Sequence, residues 1–247
     1  MSEELDVTAD GLVAVVEVRR GAHNFFDEAS LRELGDALVE LDADPRVRVV
    51  VLGAAGRSFC AGADLRGVDP HLLRRVYREA FRIFTTRTPV VAALHGAVVG
   101  GGLGLALAAD FRVAGPDVRM TANFARLGFH HGFGLSVTLP ETVGRQCATD
   151  LLYSGRNVAQ DEALAIGLVD RAADDPRAEA VAWAHELAGS SRASLQAIRS
   201  TMRRDLLGRV AAALDVEATA QTALLGTPDF AEGVAAAIEK RAPVFTD

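Results

Sequence analysis

Four short runs rich in β-branched residues set the terms on which this chain can fold. They are LVAVVEV at 12–18, VRVVVLG at 47–53, VVAALHGAVV at 90–99 and FRVAG at 111–115. Each is apolar on both faces, a pattern that suits strands covered on both sides. Helical patterns lie between them. DEASLRELGDALVELDAD at 27–44 places Leu31, Leu34, Leu38 and Leu41 at spacings of three and four, with Asp27 as its N-cap. HLLRRVYREAFRIFTTR at 71–87 predicts a second helix. Strand and helix in alternation predict an α/β fold. After about residue 145 the strand signal fades. ALAIGL, DPRAEAVAWAHELAG, a long segment over 194–225 and DFAEGVAAAIEKRAP all read as helical. A soft boundary is expected near residue 190. It divides a core over 1–190 from a helical region over 191–247 that packs on the core or on neighbouring subunits.

Charge and composition narrow the function. The 247 residues carry a formal net charge of −7, which disfavours general binding to nucleic acid or to an acidic membrane surface. No apolar run reaches the 18 residues that a membrane span needs, so no membrane partner is expected. MSEELDVTAD, acidic and polar, does not read as a signal peptide. Cys60 and Cys147 make no CxxC and no framework, which fits a reducing compartment. The expected location is the cytoplasm.

GGGLGLALAADFRVAG at 100–115 is the strongest local signal. No Lys follows the glycines as a phosphate-binding P-loop would require, and the GxGxxG spacing fails at Leu105 and at Leu107. GxSxG is absent. His130 and His131 are adjacent, without HExxH or a cysteine pair, so no metal is expected. What remains is a strand, a glycine turn and a helix start with free N–H groups, which suits an anion or oxyanion. Close helix–strand packing would also explain the glycines. SFCAGADL at 58–65 is a second small-residue turn after a strand. Two such turns could aim two N–H groups at one carbonyl oxygen, as a thioester that becomes an enolate requires.

SFCAGADL followed by VVAALHGAVVGGGLGLALAADFRVAG resembles the crotonase superfamily, the enoyl-CoA hydratases and isomerases. GAHNFFDEASLREL, YSGRNVAQDEALAIGLVDR and DFAEGVAAAIEKRAPVF resemble further family segments in the same order. The resemblance implies a ClpP/crotonase-like spiral of repeated ββα units, with a C-terminal helical region used in trimers that often pair into hexamers. It implies an acyl-CoA thioester as partner, with coenzyme A entering as part of the substrate and no separate cofactor. Carried over residue by residue, the oxyanion-hole N–H groups would be those of Ala63 and Gly101. Cys60, Ala61, Gly62 and Asp64 would line the coenzyme side, with Leu65, Arg66 and Gly100 beside them.

The same resemblance exposes a departure. The family's two glutamate positions are Gly104 and Phe124 here, and a position that is aspartate in some isomerases is Gly132. Each positioned proton-transfer group is typically worth about 10²–10⁴-fold in rate. Ordinary hydration therefore needs substitutes. His130 and His131 are candidates because imidazoles titrate near neutrality. Their plain reading is one turn-capping and one solvated side chain. Asn123 and Arg126 could meet a polar acyl group, or form the polar face of a short helix. Asp64 reads as a cap and Glu141 as an exposed helix residue. Arg66, Arg74, Arg75, Arg78, Arg82 and Arg87 are opposed within their segment by Asp69 and Glu79. They read as a solvated face, with Arg66 alone expected near a coenzyme phosphate. Phe25, Phe26, Phe124, Phe129 and Phe133 suit an apolar acyl slot. The alternative function is a catalytically silent acyl-CoA-binding homologue.

Overall fold

The computed structural model describes residues 3–64 and 69–246. Its main sheet has six strands. These are β1 (Leu5–Asp10), β2 (Val13–Val18), β3 (Val49–Ala54), β4 (Val90–Leu94), β6 (Phe111–Ala114) and β8 (Arg171–Ala172), in that spatial order. β1 runs antiparallel to β2, and every other neighbour is parallel. A two-stranded parallel sheet pairs β5 (Ala97–Val99) with β7 (Arg119–Thr121).

The two-sided strands are covered as their sequence requires. Val13, Val15, Val49, Val51, Val91, Ala93 and Val113 meet α7 (Pro176–Ala188) through Ala180, Ala184 and Ala188. The alternate residues Ala14, Val16, Val50, Leu52, Ala92 and Leu94 face the larger core. That core takes in α1 (Glu28–Ala43), α2 (Pro70–Phe84) and α3 (Gly101–Ala108). Asp27 caps α1 with a reciprocal box: Ser30 N–H donates to its carboxylate at 2.9 Å, and its own N–H donates to Ser30 Oγ at 3.0 Å.

Three expectations are adjusted. The run at 90–99 is two strands, broken at His95 and Gly96, where the chain turns past Arg57 and Ser58. The segment over 194–225 is α8 (Arg192–Met202) and α9 (Arg204–Leu224), parted at Arg203. β1, β7 and β8 add to the four strand runs read from sequence. β1 is exposed over much of its length, and β7 and β8 have three and two residues, too few for a period to register.

The C-terminal helices are bound into the same chain. Arg192 donates to Asp42 O at 2.6 Å, and α9 packs on α2 and on α4 (Leu135–Val143). α10 (Pro228–Glu239) packs on a 3₁₀ turn at Ala125–Leu127. No helix among the described residues is long and apolar enough to cross a membrane.

Candidate active site

The break between β4 and β5 brings the two small-residue turns together. Cys60 N–H donates to Ala97 O at 3.1 Å and Val99 N–H donates to Cys60 O at 3.0 Å, so SFCAG runs alongside β5. β5 then delivers the chain into the glycines. Gly100 is the N-cap of α3 with φ +56° and ψ −116°, a conformation that glycine alone adopts readily. Gly102 lies so close to the Cys60 carbonyl that a Cβ would overlap it. The glycines therefore serve both a turn and a close approach.

On the other side, Phe26 N–H donates to Gly62 O at 3.0 Å and Asp64 N–H donates to Phe26 O at 2.9 Å. Those bonds use the groups on one edge of the segment. The N–H of Ala63, one residue out of phase, points to the opposite edge. Gly101 N–H belongs to the first turn of α3, where no intrahelical acceptor exists. Neither N–H has a hydrogen-bond acceptor among the described residues. Ala61, Gly62, Ala63, Asp64, Gly100 and Gly101 all line one groove of about 970 Å³.

Other expected residues fall differently. Phe124 lines the groove beside Gly100, and Asn123, Phe129 and Phe133 line it too. Cys60 stands behind the wall: it is buried, its thiol donates towards Gly62 O at 3.8 Å, and burial pushes that thiol up to about 12. Leu65 and Arg66 lie outside the described residues. His130 and His131 do not line the groove. Their rings stack with centroids 4.0 Å apart, His130 Nδ1 pairs with His131 O at 2.7 Å, and His131 Nε2 pairs with Ser136 Oγ at 2.8 Å. Burial, then the neighbouring His130, lowers His131 to about 4, which keeps it neutral near pH 7. The loop turns the imidazoles away while Phe129 and Gly132, on either side of them, face inward.

The positions read from the sequence resemblance as acid positions are occupied by other groups. A Cβ at Gly104 would lie 2.5 Å from the Cβ of Phe133, whose ring covers the place where a carboxylate would stand. A Cβ at Gly132 would overlap the hydroxyl of Tyr77. Tyr77 and Gln221 both line the groove, and neither was singled out from the sequence. Tyr77 donates to Gln221 Oε1 at 2.5 Å, and Gln221 Nε2 donates to His130 O at 2.8 Å. Tyr77 lies on the buried face of α2 with Leu73, Val76 and Ala80, so in sequence it reads as core. Gln221 comes from α9, 144 residues away. Burial, then the charge of Glu217, holds the Tyr77 phenol well above its usual range. Glu217 itself is fully buried and accepts from Gly134 N–H at 2.8 Å and Ser136 N–H at 2.9 Å.

Three arginines of the run are paired with acids from outside their segment. Arg75 pairs with Glu28, Arg82 with Asp36, and Arg87 with Asp42. Counting charges within one segment could not register these partners from α1. Arg126 is tied to Ser154 O at 2.7 Å, outside the groove lining.

Comparison with known proteins agrees with this geometry. The sequence model of the enoyl-CoA hydratase/isomerase family matches residues 8–247. A probable enoyl-CoA hydratase, EchA12 of Mycobacterium tuberculosis (strain ATCC 25618 / H37Rv), is 38% identical over 242 residues, covering 87% of this chain and 82% of that one. The cyclohexa-1,5-dienecarbonyl-CoA hydratase of Thauera aromatica is 34% identical over 241 residues, covering 94% and 92%. The crystal structure of an enoyl-CoA hydratase from Mycobacterium avium subsp. paratuberculosis K-10 superposes with a TM-score of 0.89 at 29% identity, covering 99% of each chain. With its two small-residue turns facing one groove in a crotonase fold, the chain belongs to the enoyl-CoA hydratase/isomerase family and processes acyl-CoA thioesters.

Proposed function

We propose that the thioester carbonyl of an acyl-CoA sits between the N–H groups of Ala63 and Gly101, which stabilise it as an enolate. One observation carries this reading: two N–H groups without an acceptor among the described residues share a wall of one groove. One such donor is typically worth about 3–4 kcal/mol in the transition state. Ala61, Gly62 and Asp64 form the coenzyme side. Phe124, Phe129 and Phe133 form the acyl side, which makes that end of the groove apolar. The substrate brings its own coenzyme, and neither a metal nor a separate cofactor has a part in the reading. We extend it to a homotrimer, or a hexamer made of two trimers, working in the cytoplasm. Ile198, Met202 and Val216, exposed on α8 and α9, support the assembly.

The test is spectroscopic. A bound 2,4-dienoyl-CoA should show a red-shifted absorbance band if its carbonyl is polarised. A panel of trans-2-enoyl-CoAs followed by loss of the enoyl absorbance reports turnover in parallel. Gly101→Pro removes the N–H, and Gly101→Ala keeps it. Both place a Cβ against Phe26, so the pair separates the lost donor from the crowding. The shift should survive in Gly101→Ala and vanish in Gly101→Pro. Equal shifts in both variants overturn the reading.

A further inference from the structure

This inference rests on the oxyanion-hole reading and names a substrate class for the same groove. A thioester enolate can form in three ways. A base can take a proton from Cα, water activated by a base can add to Cβ of an enoyl thioester, or the bond from Cα to a carboxylate can break and leave its electron pair behind. The first two need a base, and the groove is furnished for the third. Positions 104, 124 and 132 carry no carboxylate. Glu217 holds two backbone N–H groups and is not part of the lining. Asp64 is in the wall but already partnered. Glu4, Asp27 and Glu28 also line the groove, the first two bound to Arg20 and the third to Arg75. The imidazoles of His130 and His131 lie outside the lining. What the groove does present is the Tyr77 hydroxyl, over Gly132, held by Gln221.

We propose that the groove takes a 2-carboxyacyl-CoA, a thioester of the malonyl type, and decarboxylates it, with Tyr77 protonating the carbon left behind. The bond between Cα and the carboxylate breaks and CO2 leaves. Its bonding pair moves into the thioester as an enolate whose oxygen faces the N–H groups of Ala63 and Gly101. The enolate pair then forms a C–H bond at Cα with the phenol proton, and the phenolate recovers a proton from solvent. The sum is one 2-carboxyacyl-CoA and one proton giving one acyl-CoA and one CO2, with no oxidant or reductant. Walls formed by Phe26, Phe124 and Phe133 solvate a carboxylate poorly, and that charge disperses as CO2 departs. Because Tyr77 stays protonated near neutrality, it acts as an acid and not as a base. Its anchoring by Gln221, itself tied to His130 O, fixes the face of Cα that receives the proton.

The experiment is a short incubation of the whole protein with malonyl-CoA and with 2-methylmalonyl-CoA in D2O. CO2 is measured, and the deuterium in the product thioester is located. CO2 should form about 100-fold faster than without protein. The propanoyl-CoA from 2-methylmalonyl-CoA should carry deuterium on one face of Cα. Tyr77→Phe should lose that face selectivity while binding butanoyl-CoA within about threefold of the parent, which a merely structural role would not do. Release of CO2 no faster than without protein overturns the proposal, as does unchanged face selectivity in Tyr77→Phe. The dienoyl-CoA band shift separates the two readings. A shift without CO2 sinks decarboxylation alone, and no shift sinks the oxyanion hole and this inference with it.

Discussion

Phe133 sits in a left-handed backbone conformation, φ +61°, between Gly132 and Gly134, and its ring is buried over Gly104. Placing a glutamate at 104 therefore meets an occupied space. Gly104→Glu should destabilise the protein by about 3 kcal/mol or more, from overpacking and a buried charge together. Phe133→Ala alone should cost about 3–5 kcal/mol by opening a cavity. The double variant should lose clearly less than the two losses added, which urea unfolding in a double-mutant cycle would measure. Additive losses would mean that the ring does not hold that space. At this scale the site was partly legible. The roles proposed for Ala63 and Gly101 rest on backbone N–H groups, and small residues after strands mark such turns directly. Tyr77 was hidden because an aromatic on an apolar helix face looks the same whether it fills a core or edges a groove. His130 and His131 misled because the loop turns both imidazoles away from the groove that Phe129 and Gly132, on either side of them, line.

Helix α3 links the glycine turn to a buried charge cluster at its far end. Arg203 donates to Ala108 O at 2.8 Å and Ala109 O at 3.2 Å, and Arg112 donates to Ala109 O at 3.2 Å. These cations meet the carbonyl end of α3, where positive charge is favourable. Asp110 holds both Arg199 at 2.7 Å and Arg203 at 3.0 Å. Burial lowers Arg203 to about 10, which still leaves it charged near neutrality. Arg203→Met should cost about 3 kcal/mol, since Asp110 and two carbonyls lose a partner out of contact with water. The denaturant midpoint checks this, and an unchanged midpoint would show that the cap is dispensable. Among the elements, β2, β3, β4, α1 and α2 were readable because a two-sided apolar strand and a capped amphipathic helix have distinct periods. The three residues of β5 and of β7 are too few to show a period. The break at Arg203 was invisible because both flanking helices share one uninterrupted helical composition.

Across the whole molecule, the groove draws on residues from Glu4 to Ile238, with α2, α9 and α10 closing one side over the glycine turn. If the proposed trimer forms, sedimentation should report about 78 kDa, three copies of 26.1 kDa. Met202→Lys, a charge placed at an exposed apolar position on α8, should shift the population towards single chains. A parent protein that sediments as one copy would remove the trimer. A lining spread over nearly the full length of the chain has a consequence for synthesis. Chains fold from the N-terminus as they emerge, and strands β1 to β4 can pair early. The ligand pocket cannot close until Gln221 and Ile238 have left the ribosome. Until then the apolar walls stand open to solvent, so the nascent protein passes its most aggregation-prone interval with its sheet already paired and its pocket still incomplete.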